Sequence, residues 1–123
     1  MRTVRCVIAS ATVIAAGDFV DITTGLITKA AAASTVLAWC PNGSADGEEV
    51  CEVTVGNDFT LIGTGDAVFA VAYKGGEYDI NDTTQTINYG ASTTDVLKVD
   101  ISENAGTVGV AAGVRVRINK PLF

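Results

Sequence analysis

The chain contains no histidine, and this absence removes a whole group of enzyme mechanisms. Without an imidazole there is no Ser-His-Asp or Cys-His catalytic arrangement, and the commonest protein ligand for transition metals is missing. Basic residues are also scarce, with 8 against 14 acidic ones and a net charge of −6. Because affinity for nucleic acid comes mainly from neutralising phosphates, this balance argues against a nucleic-acid partner.

Long apolar runs are missing as well, so no membrane-spanning helix is predicted. The start of the chain superficially resembles a signal peptide, with basic residues followed by an apolar run. Ser10 and Thr12 interrupt that run, and β-branched residues are frequent in it. We therefore interpret the segment as strand and expect synthesis in a reducing cytoplasm.

The three cysteines are an odd number and lack the close spacing of a zinc site. Cys40 and Cys51 flank a predicted hairpin loop, so a cross-strand disulfide between them is one interpretation. The other is that the cysteines are buried thiols that pack as small apolar side chains. The sequence leaves both open, and it predicts no metal and no other cofactor.

Short runs of β-branched and aromatic residues recur along the chain, separated by Gly, Asn, Asp and Ser. Their spacing of roughly 8–12 residues is typical of a β-sandwich or barrel. We predict one all-β domain over residues 1–123, a small sandwich or partly open barrel of about eight short strands with little or no helix. A domain of this length buries a core without needing disulfides or metal.

Three runs carry specific predictions about burial. The last two alternate between apolar and polar residues, which indicates strands with one buried face. Their predicted inward residues are Leu97, Val99 and Ile101 in the first of these runs and Val114, Val116 and Ile118 in the second. The run 67–73 is apolar on both faces, which predicts a central strand covered on both sides. The polar residues 81–95 predict a long loop.

Acidic and aromatic residues supply few candidate sites. Two acidic groups suggest calcium binding or a glycosidase carboxylate pair. Neither group matches a calcium loop, and a sequence does not show two carboxylates at a set separation across a cleft, so we interpret both as solvated surface. The groups are Glu48, Glu49, Glu52 and Asp58, and Asp79 and Asp82. Trp39 is either a core residue or an exposed ring for an interface or a sugar.

The basic residues are concentrated at the two ends of the chain. Five of the eight lie in 1–5 and 115–123, whereas three lysines between them stand against all 14 acidic residues. If the ends meet in the fold, they form a basic pole for assembly contacts with an acidic protein surface. The predicted contact residues, which include the apolar chain end, are Arg2, Arg5, Arg115, Arg117, Lys120, Leu122 and Phe123.

Three stretches resemble the decoration, or cement, proteins of tailed-bacteriophage heads. They are AGDFV at 16–20, GTGDAV at 63–68 and the alternating GVRVRI at 113–118. The resemblance implies a non-enzymatic virion protein that is made in the host cytoplasm and binds the outer capsid surface. There it stabilises contacts between major capsid proteins, commonly as a homotrimer. No membrane, nucleic acid or small-molecule substrate is implied.

Two other functions stay open at this point. One is a different virion component, such as a head fibre, a tail tube or a joining protein. The other is a carbohydrate-binding β-sandwich that uses Trp39 and a tyrosine as stacking platforms; the tyrosines are Tyr73, Tyr78 and Tyr89. Aromatic residues make up only 7% of the chain, so exposed rings are few. An enzyme is not expected.

Overall fold

The computed structural model describes residues 2–10, 12–44, 50–82 and 84–123. These residues form ten short strands in two five-stranded antiparallel sheets, with one 3-10 helical turn, which confirms the predicted all-β class. The strands are β1 Arg2–Val7, β2 Asp18–Thr23, β3 Leu26–Lys29, β4 Ala38–Cys40, β5 Val50–Val55, β6 Leu61–Gly63, β7 Glu77–Ile80, β8 Ile87–Asn88, β9 Leu97–Val99 and β10 Val114–Ile118, and the helical turn is Val71–Tyr73.

The first sheet has the order β1-β5-β4-β2-β3 and curls into a half-barrel. Ile8, which follows β1, forms a parallel bridge with Ile27 of β3, and the Ala9 N–H donates to the Ile27 carbonyl at 2.9 Å. The first and last strands of the sheet therefore meet. Strand β1 confirms the strand interpretation of the chain's start, although it already ends at Val7. The enclosed core consists of Ile8, Ile14, Val20, Ile27, Ala38, Cys40, Cys51, Val53 and Val55.

The second sheet has the order β6-β10-β9-β7-β8 and also curls back on itself. Gly65, just beyond β6, bridges Ile87 of β8, and the Ile87 N–H donates to the Thr64 carbonyl at 2.9 Å. Strand β10 pairs with β6 on one side and β9 on the other. A second core cluster, with Phe69 among its fully buried side chains, packs beneath this sheet.

The alternation predicted for the last strand is confirmed, but the preceding run ends earlier than predicted. The three inward positions of β10 are at most 1% exposed. In the preceding run, Leu97 and Val99 are buried, whereas Ile101 is 76% exposed. The Asp100 carboxylate accepts a hydrogen bond from the Ile101 N–H at 2.8 Å, beyond the end of β9. The chain has left the strand there, so the prediction that Ile101 faces inward is wrong.

The prediction of a central strand over 67–73 is also wrong. Phe69 alone is deeply buried in this run, and it forms only an isolated bridge with Val108. The run then turns, with the Tyr73 N–H donating to the Ala70 carbonyl at 3.0 Å. A run that is apolar at every position has no periodicity. The sequence therefore does not distinguish a strand from a turn that packs around one buried ring. The polar segment 81–95 likewise is not all loop, since it contains β8.

Gln85, in the turn between β7 and β8, joins the second sheet to the first. Its Oε1 accepts a hydrogen bond from the Phe19 N–H at 2.6 Å, and its Nε2 donates to the Ala30 carbonyl at 2.9 Å. Phe19 and Ala30 are both buried and lie on β2 and just after β3. The side-chain amide therefore supplies both a donor and an acceptor to backbone groups that are shielded from water.

We expect Gln85→Ala to lower the free energy of unfolding by about 2 kcal/mol, because one buried backbone donor and one acceptor lose their partner. Urea denaturation followed by fluorescence measures the change. Thr84→Ala is the matched control, since Thr84 is exposed and its hydroxyl contacts only that of Thr86 among its described hydrogen bonds. Equal losses for the two variants would show that the amide does not join the sheets.

Candidate functional site

The two ends of the chain meet beside the core of the half-barrel. The guanidinium carbon of Arg2 lies 4.6 Å from the centroid of the Phe123 ring, a cation–π contact. The Leu122 N–H donates to the Leu37 carbonyl at 2.8 Å, and the Leu37 N–H donates to the Lys120 carbonyl at 2.9 Å. These bonds hold the last residues against the segment that leads into β4.

An apolar groove of about 270 Å³ opens beside this contact, and we call it the terminal groove. Leu122 packs against the half-barrel core, whereas Phe123 is 74% exposed at the rim. Three predicted contact residues, one from the start of the chain and two from its end, therefore border the same depression. Its lining consists of Arg2, Val4, Cys6, Ile22, Ile27, Val53, Val55, Leu122 and Phe123.

Arg115 and Arg117 lie on the other sheet, on the outward face of β10. Both are exposed because their neighbours in the strand point into the core. Arg117 lies opposite Lys98 of β9, and Arg115 lies opposite Ile62 of β6, which is 68% exposed. Positive charge and exposed apolar surface thus occur side by side. We call this face the β10 surface; it comprises Ile62, Lys98, Ile101, Arg115 and Arg117.

Acidic groups moderate the charge of the β10 surface without cancelling it. The Nζ of Lys98 lies 3.8 Å from Oε1 of Glu77, an ion pair at the surface. The Ser102 hydroxyl, and to a smaller extent the charge of Arg115, hold the pKa of Asp100 below its ordinary value. Asp100 also lines a groove of about 290 Å³ that runs between Lys98, Ile101 and Arg117. The groove is therefore a shallow channel that carries positive and negative side chains and an apolar wall, and a partner protein could bind along it.

Of the two remaining basic residues of the predicted set, one lies opposite an acidic residue and the other is hydrogen-bonded within the chain. Arg5 lies on β1 directly opposite Glu52 of β5, where opposite charges attract across the strands. The Nζ of Lys120 donates to the Thr94 carbonyl at 2.8 Å. The structure therefore distributes the predicted contact residues over two sheets. Arg2, Leu122 and Phe123 lie at the terminal groove, and Arg115 and Arg117 lie on the β10 surface.

Sequence reasoning missed an exposed apolar area, which we call the valine patch: Val68, Val71, Val108 and Val110. Each of the four is between 46% and 64% exposed. The two loops that carry them are joined at Phe69, whose N–H donates to the Val110 carbonyl at 3.0 Å. The only sequence feature was the apolar run 67–73, and nothing local in it marks which valines reach solvent.

The aromatic residues considered as sugar platforms contact one another. Tyr73 and Tyr89 stack with ring centroids 3.9 Å apart, and the Tyr78 ring meets Tyr89 edge-on at 5.3 Å. Burial, with smaller effects from the neighbouring tyrosines, raises the pKa of Tyr89 to about 12. Trp39 is half-buried, donates from Nε1 to the Gly17 carbonyl at 3.2 Å and packs against the core. The stacked faces of Tyr73 and Tyr89 therefore cover each other.

The acidic residues differ from the predicted solvated surface at one position. Asp79 is only 5% exposed and accepts three backbone hydrogen bonds, so its assignment to solvated surface is wrong. Asp82 accepts a bond from the Ala32 N–H. Glu48 and Glu49 lie outside the described residues. In the part of the chain that the structure describes, no group of three or more Cys, Asp or Glu is placed to hold a metal ion.

Comparisons with family models, curated proteins and solved structures gave no match to this chain. None of the helical residues described here forms a helix long and apolar enough to cross a membrane. The candidate functional sites are therefore the three surfaces described above: the terminal groove, the β10 surface and the valine patch.

Proposed function

We propose that this chain is a structural protein of a tailed-bacteriophage head, which binds the outer surface of the capsid and stabilises contacts between major capsid proteins. The observation that carries the proposal is the β10 surface. In a protein with a net charge of −6, it places two exposed arginines beside the exposed Ile62 on one sheet face, with the exposed Ile101 along the adjoining groove. The resemblance of 16–20, 63–68 and 113–118 to decoration proteins supports the same function.

The distribution of charge supports docking by this face. Arginine recognises carboxylates with two parallel hydrogen bonds and is enriched at protein interfaces. The negative charge elsewhere on the molecule disfavours approach to an acidic partner in other orientations. Ile62 and Ile101 supply apolar area that gains affinity once water is excluded. An acidic patch on the major capsid protein is therefore the partner that fits the β10 surface.

A protein that stabilises contacts between neighbouring subunits has to hold two of them at once. This chain offers a second surface for that purpose on the other sheet, at the terminal groove with its exposed Phe123 ring. The valine patch is a third area, apolar and without basic residues, and it suits self-association into the homotrimer that the resemblance implies. The function needs no catalytic residue and no cofactor.

We expect the double substitution Arg115→Glu with Arg117→Glu to weaken binding to expanded capsids at least about tenfold, because two attractive contacts become repulsive. The measurement is co-sedimentation of the purified protein with undecorated expanded heads of the phage whose genome encodes the chain. Binding of the natural protein should saturate at a fixed number per capsid subunit and weaken as salt is added.

Arg5→Glu is the matched control, since it reverses the charge of an arginine that lies opposite Glu52 on the other sheet. It should leave saturation and affinity nearly unchanged. Circular dichroism and the urea midpoint establish that the double variant is folded. Unchanged binding by the folded double variant would remove the β10 surface from the interface. No saturable binding by the natural protein would remove the proposed function itself.

A further inference from the structure

The three cysteines of the chain converge inside the half-barrel. Cys6 lies on β1, Cys51 on β5 and Cys40 on β4, which are consecutive strands in the first sheet. Cys40 and Cys51 belong to the core cluster, and Cys6 packs against it. All three are present as thiols rather than disulfides, which agrees with the interpretation of Cys40 and Cys51 as buried apolar-like side chains.

Strand register decides which two thiols lie directly opposite each other. Cys6 and Cys51 are direct partners in the antiparallel pairing of β1 with β5. Such partners have Cα atoms about 4.5–5.5 Å apart, which lies within the range that disulfides span.

Cys40 and Cys51 are not direct partners. Trp39 pairs with Thr54, so in the antiparallel register Cys40 lies level with Val53, two residues along β5 from Cys51. Diagonal neighbours of this kind have Cα atoms about 7–8 Å apart, yet the two thiols touch, since a hydrogen bond with the Cys51 side chain offsets part of the rise that burial causes in the pKa of Cys40. Cys51 is thus the direct cross-strand partner of Cys6 and the diagonal neighbour of Cys40, and access to an oxidant distinguishes the two pairs.

The surroundings of the two thiols differ in a way that suits a stepwise reaction. Cys6 is half-buried and lines the terminal groove, so a small oxidant reaches its sulfur from solvent. Cys51 is 5% exposed and lies behind it. Cys40 is fully buried, and its Sγ donates to the Glu52 carbonyl at 3.5 Å. A solvent-borne oxidant therefore reaches the Cys6 sulfur more easily than the Cys51 sulfur.

We propose that Cys6 and Cys51 are a disulfide-forming pair, closed by hydrogen peroxide or a comparable small oxidant once the protein leaves reducing conditions. The Cys6 thiolate attacks one peroxide oxygen, which forms a sulfenic acid and, after proton transfer, releases water. The Cys51 sulfur then attacks the Cys6 sulfur, the S–O bond breaks, and a second water leaves with the Cys51 proton. Two thiols and one peroxide thus give one disulfide and two waters.

The reaction is slow at neutral pH, which suits a structural link rather than a fast sensor. Burial, and to a smaller extent the neighbouring Cys40, raise the pKa of Cys6 above its ordinary value. Since the thiolate is the reacting form, the rate rises as the pH increases toward that pKa. Bond formation ties the first strand to β5 and restricts the unfolded chain between the two cysteines.

The test treats the purified, reduced protein with a modest excess of hydrogen peroxide and maps the products by mass spectrometry of proteolytic peptides. We expect an intact mass lower by two hydrogen atoms and a cross-linked peptide that joins Cys6 to Cys51. The midpoint of thermal unfolding should rise by about 10 °C and return to its original value when dithiothreitol is added.

Cys6→Ser and Cys40→Ala form the matched pair of variants. Cys6→Ser should abolish both the mass change and the thermal shift, whereas Cys40→Ala should retain both. Peptide mapping of the natural protein decides the matter even if one variant folds poorly. A Cys40–Cys51 link, a link between two chains, or sulfinic acid at Cys6 without a bridge would each overturn the proposal.

Discussion

Replacing Asp79 with alanine is expected to lower the free energy of unfolding by about 3–4 kcal/mol, a large effect for a single carboxylate. Its Oδ1 accepts hydrogen bonds from the N–H groups of Thr93, Thr94 and Asp95 at 2.9, 2.7 and 3.0 Å. Asp79 itself is almost completely buried on β7. Alanine would leave three convergent backbone donors without their acceptor and release the loop that leads into β9.

The same site predicts a pH dependence. Burial by itself raises the pKa of Asp79, but the hydrogen bonds from Asp95, Thr94 and Thr93 outweigh it, so the pKa lies below its ordinary value. A lowered pKa in the folded state means that the charge stabilises the fold fully above the unfolded pKa of about 4. That contribution is lost as the pH falls through the folded value.

Asp79→Asn isolates the charge, because an amide oxygen still offers an acceptor of the same shape. We expect it to cost about 2 kcal/mol near neutral pH. The difference from the natural protein should be constant from about pH 8 to 5 and should shrink below about pH 4. Urea denaturation across this range measures it.

Asp21→Ala is the control for Asp79→Ala, since Asp21 accepts one local bond, from the Ile22 N–H at an exposed position. Its cost should stay within about 0.5 kcal/mol. A stability difference between Asp79→Asn and the natural protein that widens on acidification would contradict the assignment of the charge to this network.

Gly43→Ala is expected to cost about 3–4 kcal/mol, from strain and collision together. Gly43 has a φ of +66°, which side chains other than glycine rarely adopt. A Cβ there would lie 2.6 Å from both the Ala16 nitrogen and the Ile14 carbonyl oxygen. Both are backbone atoms of a segment held by the adjacent Ser44, whose N–H donates to that same Ile14 carbonyl at 2.7 Å. Gly43 and the segment 14–16 cannot move apart without breaking this hydrogen bond.

Gly17→Ala separates the two contributions. Gly17 has a φ of +84°, but nothing lies within 4 Å of the position its Cβ would take. It should therefore cost only the conformational strain, about 1 kcal/mol. Thermal and urea unfolding of the two variants, compared side by side, measure the part due to collision. Equal losses would show that the loop simply moves away from residues 14–16.

Features set by local sequence were predictable, and features set by distant partners were not. The alternation of valine with arginine in β10 needs only neighbouring residues, and it correctly gave the exposure of Arg115 and Arg117. The burial of Asp79 depends on N–H groups 14 to 16 residues further along the chain. No local pattern around Asp79 reveals that those groups converge on it.

The candidate surfaces divide in the same way. Clustering of basic residues at the ends was visible in the sequence, and the Arg2–Phe123 contact brings the ends together. The opposition of Arg5 to Glu52 and of Arg117 to Lys98 depends on which strands are neighbours, whereas a period-two pattern fixes only the face on which each residue lies. The same holds for Cys6 and Cys51, whose pairing follows from β1 lying beside β5 rather than from their spacing.

The parallel bridges at Ile8–Ile27 and Gly65–Ile87 affect the tendency of this protein to aggregate at high concentration. An open sheet edge offers unpaired N–H and C=O groups that recruit strands from other molecules into fibrils. Here the outermost strands of the second sheet, β6 and β8, have three and two residues. The bridges draw opposite edges of each sheet toward one another. Molecules packed side by side at high local concentration therefore find little backbone on the second sheet with which to nucleate cross-β stacking.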